Sequence, residues 1–203
     1  MVEGGGSKTF SRAKTWLFRE PDAAHTLLGR LTDVLVAYLR AQIDAGAQAL
    51  QVFDSWAGVL AVDDFRTFSL PYLARIAEEV GATHPEVPLI VFARGANHAL
   101  EDLAKSGYRV VGLDWTVDPA AARRAVGDRI TLQGNLDPSV LYADPETIRQ
   151  RVRTMLERFG DGPHIANLGH GMHPDHDPEC ARAFVDAVHQ ESEALRAWMT
   201  TAR

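Results

Sequence analysis

The chain has 203 residues, 46% hydrophobic and 24% charged, with 21 Lys+Arg against 27 Asp+Glu. That is enough apolar sequence for one sizeable core, and a formal charge of −6 argues against gripping nucleic acid or an anionic membrane through the bulk field. The single cysteine, Cys180, excludes an intramolecular disulfide framework and an all-cysteine metal site. The longest apolar run, Val87 to Ala93, is too short to cross a bilayer. The opening string MVEGGGSK carries neither the basic nor the apolar region of a secretory signal. The expectation is a cytoplasmic one-domain protein, or a piece of one.

In chain order, Glu20-Pro21-Asp22 places proline at a first helical position, with Leu27, Leu31, Leu35, Tyr38 and Leu39 following at helical spacing and Gly46 as the stop. Ala49 to Phe53 is a short apolar run, read as a strand. Asp64 to Val80 is helical but contains Pro71, which predicts two pieces broken near Ser69 or Leu70. Strands are predicted again at Leu89 to Phe92, Val110 to Leu113, Ile130 to Leu132 and Ile165 to Leu168. Asp118-Pro119 opens a short helix between them. Asp144-Pro145-Glu146 opens a longer one, with Ile148, Val152, Met155 and Phe159 on one face and Gly160 at its end. Asp177-Pro178-Glu179 opens the last, through Phe184, Val188 and Leu195. In each, the aspartate can accept a hydrogen bond from an orphan N–H of the first turn.

The five apolar runs do not alternate with polar residues, so both faces of each strand should be buried, as in a parallel sheet covered by helices. The class is α/β. An open doubly wound sheet and most of a (β/α)8 barrel both fit this rhythm, although five strands alone cannot close a barrel.

Ligands bind at the C-terminal strand ends in either architecture. Those ends read Phe53-Asp54-Ser55-Trp56, Phe92-Ala93-Arg94-Gly95, Leu113-Asp114-Trp115-Thr116, Leu132-Gln133-Gly134-Asn135 and Leu168-Gly169-His170-Gly171. Converging, they would offer Ser, Asp, Arg, Asn and His to one ligand; taken singly, each also suits a helix cap or a loop tie. Gly169-His170-Gly171 is the sharpest of them, because flanking glycines admit close approach and an imidazole suits proton transfer or carboxylate binding. His173-x-x-His176 has the look of a metal pair, but its spacing and its two prolines favour a solvated loop, with Asp177 used as a helix cap. Ser55 lacks the Gly-x-Ser-x-Gly surroundings of an activated nucleophile, so hydrogen bonding to a ligand is its expected role. Gly4-Gly5-Gly6 has no Gly-Lys-Ser/Thr in register for a phosphate loop.

The strings VEGGGSKTF, VFDSWAG, FSLPYL, GLDWT, LQGNLDP and ANLGHGMHPDHDP, in this order, closely resemble the uroporphyrinogen decarboxylase family from Val2 to about Ser192. The resemblance implies a (β/α)8 barrel with a cleft at the C-terminal strand ends, a homodimer, and no metal or organic cofactor. It implies removal of carboxylate from four acetate side chains of uroporphyrinogen III, giving coproporphyrinogen III for haem and chlorophyll. Ser55 matches the family's serine that hydrogen-bonds a substrate carboxylate, and His170 its carboxylate-contacting histidine at the last strand end. Phe53 carries over more weakly, as an apolar wall against the macrocycle, and Arg94 as an accessory contact.

By the same resemblance, the family's arginine-rich segment, the aspartate that binds the pyrrole N–H groups and a further tyrosine lie before the position of Met1. The five strands are then family strands four to eight. Residues 1–203 are expected to form a single decarboxylase-like domain, N-terminally truncated: an incomplete barrel of low stability with little or no activity alone. Two other readings stand beside it. One is a non-catalytic chain that binds porphyrinogen or dimerises. The other is a methyltransferase on the same barrel, disfavoured because the lone Cys180 offers no His-x-Cys zinc motif.

Overall fold

A computed structural model describes residues 2–201, with side chains described to residue 197. The backbone divides into two compact units, one reaching Val110 and the other starting at Val111. Each is described by itself. Among the described residues, no helix is long and apolar enough to cross a membrane.

The first unit begins with α1 (Ser11–Arg19) and α2 (Pro21–Asp44). Then come β1 (Leu50–Asp54), α3 (Val62–Phe68), α4 (Leu70–Thr83), β2 (Leu89–Ala93) and α5 (Leu100–Ala104). β1 and β2 pair in parallel, Leu50 beside Leu89 and Asp54 beside Ala93. Arg109 donates its backbone N–H to Leu89, setting the chain that enters β3 (Val110–Gly112) against β2. The break between α3 and α4 falls at Ser69, where the sequence predicts it, so that Pro71 occupies a first turn that has no use for its missing N–H. α2 lies on α4 through Arg40, which donates to the Glu79 carbonyl at 2.5 Å, and through His25, 2.7 Å from the Tyr72 hydroxyl. The core holds Phe65, Ile76, Val80, Leu89, Val91 and Leu103, none more than 4% exposed. Burying each such side chain contributes about 1.5–3 kcal/mol.

The second unit holds the rest of β3, then α6 (Pro119–Val126), β4 (Thr131–Leu136), α7 (Pro145–Phe159), β5 (His164–Leu168) and α8 (Pro178–Thr201). Leu113 donates to the Gln133 carbonyl at 2.8 Å, and β4 pairs with β5 in parallel, Leu132 beside His164. Asp118, Asp144 and Asp177 accept from the backbone N–H groups of Ala121, Thr147 and Glu179 at 3.2, 2.9 and 2.9 Å, as the caps the sequence predicts. The α7 face of Ile148, Val152, Met155 and Phe159 is buried throughout. Phe159 stacks on the His164 ring at 3.6 Å, and His164 donates to the Gly134 carbonyl at 2.7 Å. Burial, more than any neighbouring charge, pulls that imidazole below its ordinary value, so it is neutral at pH 7. Arg123 closes the α6 end by donating to the carbonyls of Gly127, Ile130 and Pro163.

Two expectations need correcting, on the length of β4 and on the burial of both strand faces. β4 runs four residues further than the apolar run Ile130–Leu132, because Gln133, Gly134 and Asn135 are buried inside the strand and not at its end. The helical spacing on α2 holds, with Leu39 turned inwards beside Ala24, Thr32 and Val36, while Leu31, Leu35 and Tyr38 are exposed. Burial on both strand faces holds for β2, β3 and β4 but not for β5, whose Ile165 and Asn167 are exposed, nor for the Phe53 end of β1. Five parallel strands with helices are what part of a (β/α)8 barrel should look like, and five fall short of the eight that closure requires.

Ile148→Ala is expected to lower the stability of the second unit by about 2–5 kcal/mol, since the cavity has fully packed walls. The urea midpoint followed by circular dichroism checks it.

Candidate functional site

In the first unit, β1 delivers Phe53, Asp54 and Ser55 to the carbonyl end of the strand. Phe53 is 63% exposed and meets Phe92 edge-on at 6.1 Å. Ser55 stands exposed in the turn that follows. The chain then rises through Trp56 into a short 3-10 turn, Ala57–Val59. Arg94, at the end of β2, is tied to this turn twice: its N–H donates to the Asp54 carbonyl at 3.1 Å, and its carbonyl accepts from Gly58 at 2.9 Å. The two backbones touch there, because a Cβ on Gly58 would lie 2.8 Å from Gly95, which itself has φ +76°. The Arg94 guanidinium sits over the Trp56 ring at 5.5 Å, a cation–π contact, and the same ring lies 4.8 Å from that of Phe10.

Asp54 is a residue that the carry-over omits. Its carboxylate accepts from the Ser69 hydroxyl at 2.6 Å and from the Trp56 backbone N–H. Burial pushes its carboxyl above the ordinary aspartate range, against the opposing pull of those two bonds. The bond to Ser69 joins the Ser55 turn to the start of α4. The acid was visible at the strand end, but its partner lies fifteen positions away and no local pattern points to it.

In the second unit, His170 follows β5 and is exposed. Its ring stands edge-on to Trp115, with centroids 5.9 Å apart at 81°. The glycine before it serves the protein more than a ligand: a Cβ on Gly169 would fall 2.4 Å from the Trp115 backbone nitrogen, whereas Gly171 has open space around it. The Gly169 N–H donates to the Leu136 carbonyl at 2.7 Å. Asp114, before Trp115, is 4% exposed and accepts from the Thr116 N–H and hydroxyl at 2.8 and 2.5 Å. The Asn135 amide donates to the carbonyls of Asp114 and Val117, both at 2.8 Å. Asp114 and Asn135 are therefore loop ties, and Ser55, Phe53 and His170 are the exposed groups.

In the His173-x-x-His176 loop, His173, Pro174 and Asp175 are exposed, as a solvated loop requires, and His176 alone is buried. His176 is 6% exposed, packs against Tyr142 at 4.2 Å, and accepts from the His173 N–H at 3.3 Å through Nδ1. The Tyr142 hydroxyl donates to Asp175 at 2.7 Å; that bond pulls the Asp175 carboxyl down and pushes the phenol up. An apolar ring was available to cover His176, which sequence spacing does not disclose. Among the described residues, no group of three or more His, Cys, Asp or Glu is placed to hold a metal ion. A groove of about 1110 Å³ runs between α7, β5 and α8, and His170 does not line it.

Residues 1–191 match the family model described as uroporphyrinogen decarboxylase. The chain is 61% identical over 196 residues to the uroporphyrinogen decarboxylase of Salinibacter ruber, 55% over 200 residues to that of Danio rerio and 56% over 201 residues to that of Homo sapiens. These alignments take in 96–97% of this chain but 54–55% of each relative, so the chain spans about half the length of the curated relatives it matches. Among solved structures, a methyltransferase from Methanosarcina mazei superposes with a TM-score of 0.77 at 22% identity, over 87% of this chain and 52% of that one. That likeness speaks for the fold alone.

The Asp54 carboxyl should titrate above about 4, the ordinary aspartate value. A folded-state pKa raised above the unfolded one favours folding at low pH, and that contribution is lost as pH rises through the raised value. Carboxyl ¹³C shifts followed against pH would show it, and Asp54→Asn should flatten the stability profile in the same window.

Proposed function

The chain belongs to the uroporphyrinogen decarboxylase family, and on that premise we propose that it serves the cofactor-free conversion of uroporphyrinogen III to coproporphyrinogen III, by loss of CO2 from four acetate side chains. The observation that carries this is the match over residues 1–191, backed by 61% identity to a relative of that name. The catalytic reading extends to the complete polypeptide. This chain covers about 55% of a relative's length, so alone it is expected to turn over little or nothing.

The chemistry sets the requirements. Loss of CO2 leaves a carbanion that needs an electron sink, and a pyrrole protonated on a ring carbon supplies one. The protein must then deliver a proton and hold a cation, and fixed charge close to the pyrrole nitrogens is often the largest catalytic contribution. The substrate carries eight carboxylates, so cationic and hydroxyl donors must offset a chain of net charge −6. In this reading the Ser55 hydroxyl donates to one substrate carboxylate and His170 contacts another. Phe53 lies against the macrocycle, and Arg94, held over Trp56, is the accessory contact. The exposure of Ser55, Phe53 and His170 supports these roles. A cytoplasmic homodimer, with no nucleic-acid or membrane partner, belongs to the same proposal.

A second reading is favoured by the coverage: a chain that binds porphyrinogen without converting it. A methyltransferase reading gains nothing from a 22%-identical structure.

Fluorescence titration of the purified chain with uroporphyrin should give saturable binding, weakened about tenfold or more by His170→Ala and by Ser55→Ala. One hydrogen bond to a charged group contributes about 1.5–3 kcal/mol, and tenfold corresponds to about 1.4. Measurable decarboxylation by the chain alone would overturn the incompleteness argued above; binding indifferent to both substitutions would overturn the site.

A further inference from the structure

Asp54 is held from three directions, and Ser55 follows it directly in the chain. Side chains alternate along a strand, so Phe53 faces solvent while Asp54 turns to the side of β1 where α4 begins. The Asp54 carboxylate accepts from the Ser69 hydroxyl at 2.6 Å and from the Trp56 backbone N–H. Its carbonyl accepts from the Arg94 N–H at 3.1 Å. An aspartate bonded to the N–H two residues on closes an Asx turn, and the residue enclosed by this one is Ser55.

Ser69 is a fixed post for that turn. It sits at the break between α3 and α4, where its N–H donates to the Phe65 carbonyl at 3.0 Å and its carbonyl accepts from Tyr72 and Leu73, both at 3.1 Å. Phe65, Phe68 and Leu73 are core residues, so the break cannot shift without disturbing them. Two local rules are broken here together. Ser69 occupies the N-cap position of α4, where a serine ordinarily bonds a first-turn N–H, yet its side chain makes no cap bond. Asp54 is an acid in surroundings that make its ionised form costly. Both exceptions meet in one hydrogen bond, next to the exposed serine of the candidate site. Departures of this kind gather where function, and not folding alone, fixes the residue.

We propose that Asp54 and Ser69 are positioning residues: the bond between them anchors the Asx turn around Ser55 and so holds the Ser55 hydroxyl ready for a ligand carboxylate. Neither side chain touches the ligand in this arrangement. The carboxylate is spent on Ser69 and Trp56, on the α4 side of the strand, and Ser55 is the group a ligand meets. The proposal rests on the reading above in which Ser55 donates to a substrate carboxylate.

Amide hydrogen exchange at Trp56 and uroporphyrin titration of the same variants test it. Ser69→Ala removes the hydroxyl and costs α4 no cap bond. In that variant the Trp56 amide should exchange about tenfold faster, as expected when a local tie is released. Uroporphyrin should bind about fivefold more weakly, the effect of a displaced contact group. Ser69→Thr keeps the hydroxyl and should restore both. In a Ser55→Ala background, Ser69→Ala should change binding by less than about twofold, because no hydroxyl is left to position. A loss caused by general loosening of the fold would persist in that background. An unchanged Trp56 exchange rate, a binding loss that Ser69→Thr does not restore, or a loss undiminished in the Ser55→Ala background would each overturn the proposal. The functional reading is judged separately. It fails if the parent chain binds no uroporphyrin or if Ser55→Ala leaves binding unchanged, and the Trp56 exchange rates alone then uphold or overturn the anchoring.

Discussion

A parallel strand has backbone donors and acceptors along both edges and apolar side chains on both faces, and all four sides must be covered. That demand governs what is ordered and what is open in this chain. β2, β3 and β4 meet it: their residues are buried almost without exception, and helices with buried faces lie over them. β1 and β5 meet it only in part. Phe53 and Ile165 stand exposed on strands whose composition is that of a core, and the Leu168 N–H finds its acceptor in the neighbouring Asn167 side chain, not in another strand.

Three helices were legible because an aspartate before a proline encodes both a start and a cap, whereas Glu20-Pro21 marks a start with no side-chain cap. Asp118, Asp144 and Asp177 cap in the expected way, and the interruption at Ser69 follows from Pro71 alone. The strands were legible from their apolar runs, short of β4, where buried amide and glycine were mistaken for a loop. Periodicity also marked an apolar stripe on α2 without disclosing which way it turns. A helix with Ala24, Val36 and Leu39 on one side and Leu31, Leu35 and Tyr38 on another has two candidate faces, and only the neighbours present decide between them. The short α5 and the 3-10 turns left no periodic signal, being shorter than the repeat that would reveal them.

At the strand ends, residue type and position were legible, but not the division of labour. Asp54, Asp114 and Asn135 spend their polar atoms on Ser69, Thr116 and nearby carbonyls, over sequence separations from two to twenty-one residues. These ties hold the turns that present Ser55 and Trp115. In the first unit the Ser55 hydroxyl and the Phe53 ring are left facing solvent, with the half-buried Arg94 resting on the Trp56 indole; in the second, the His170 imidazole is exposed. Burial of His176 against Tyr142 shows the opposite case, a polar pair whose ring nitrogens invite a functional reading and whose surroundings are those of packing.

The contact between Gly58 and Gly95 has a wider consequence. Two main chains in direct contact, joined by two backbone hydrogen bonds, tie the turn bearing Ser55 to the turn bearing Arg94. Adjustment in that corner is left to the rotation of individual side chains. A methyl group in place of either α-hydrogen would have to push these backbones apart.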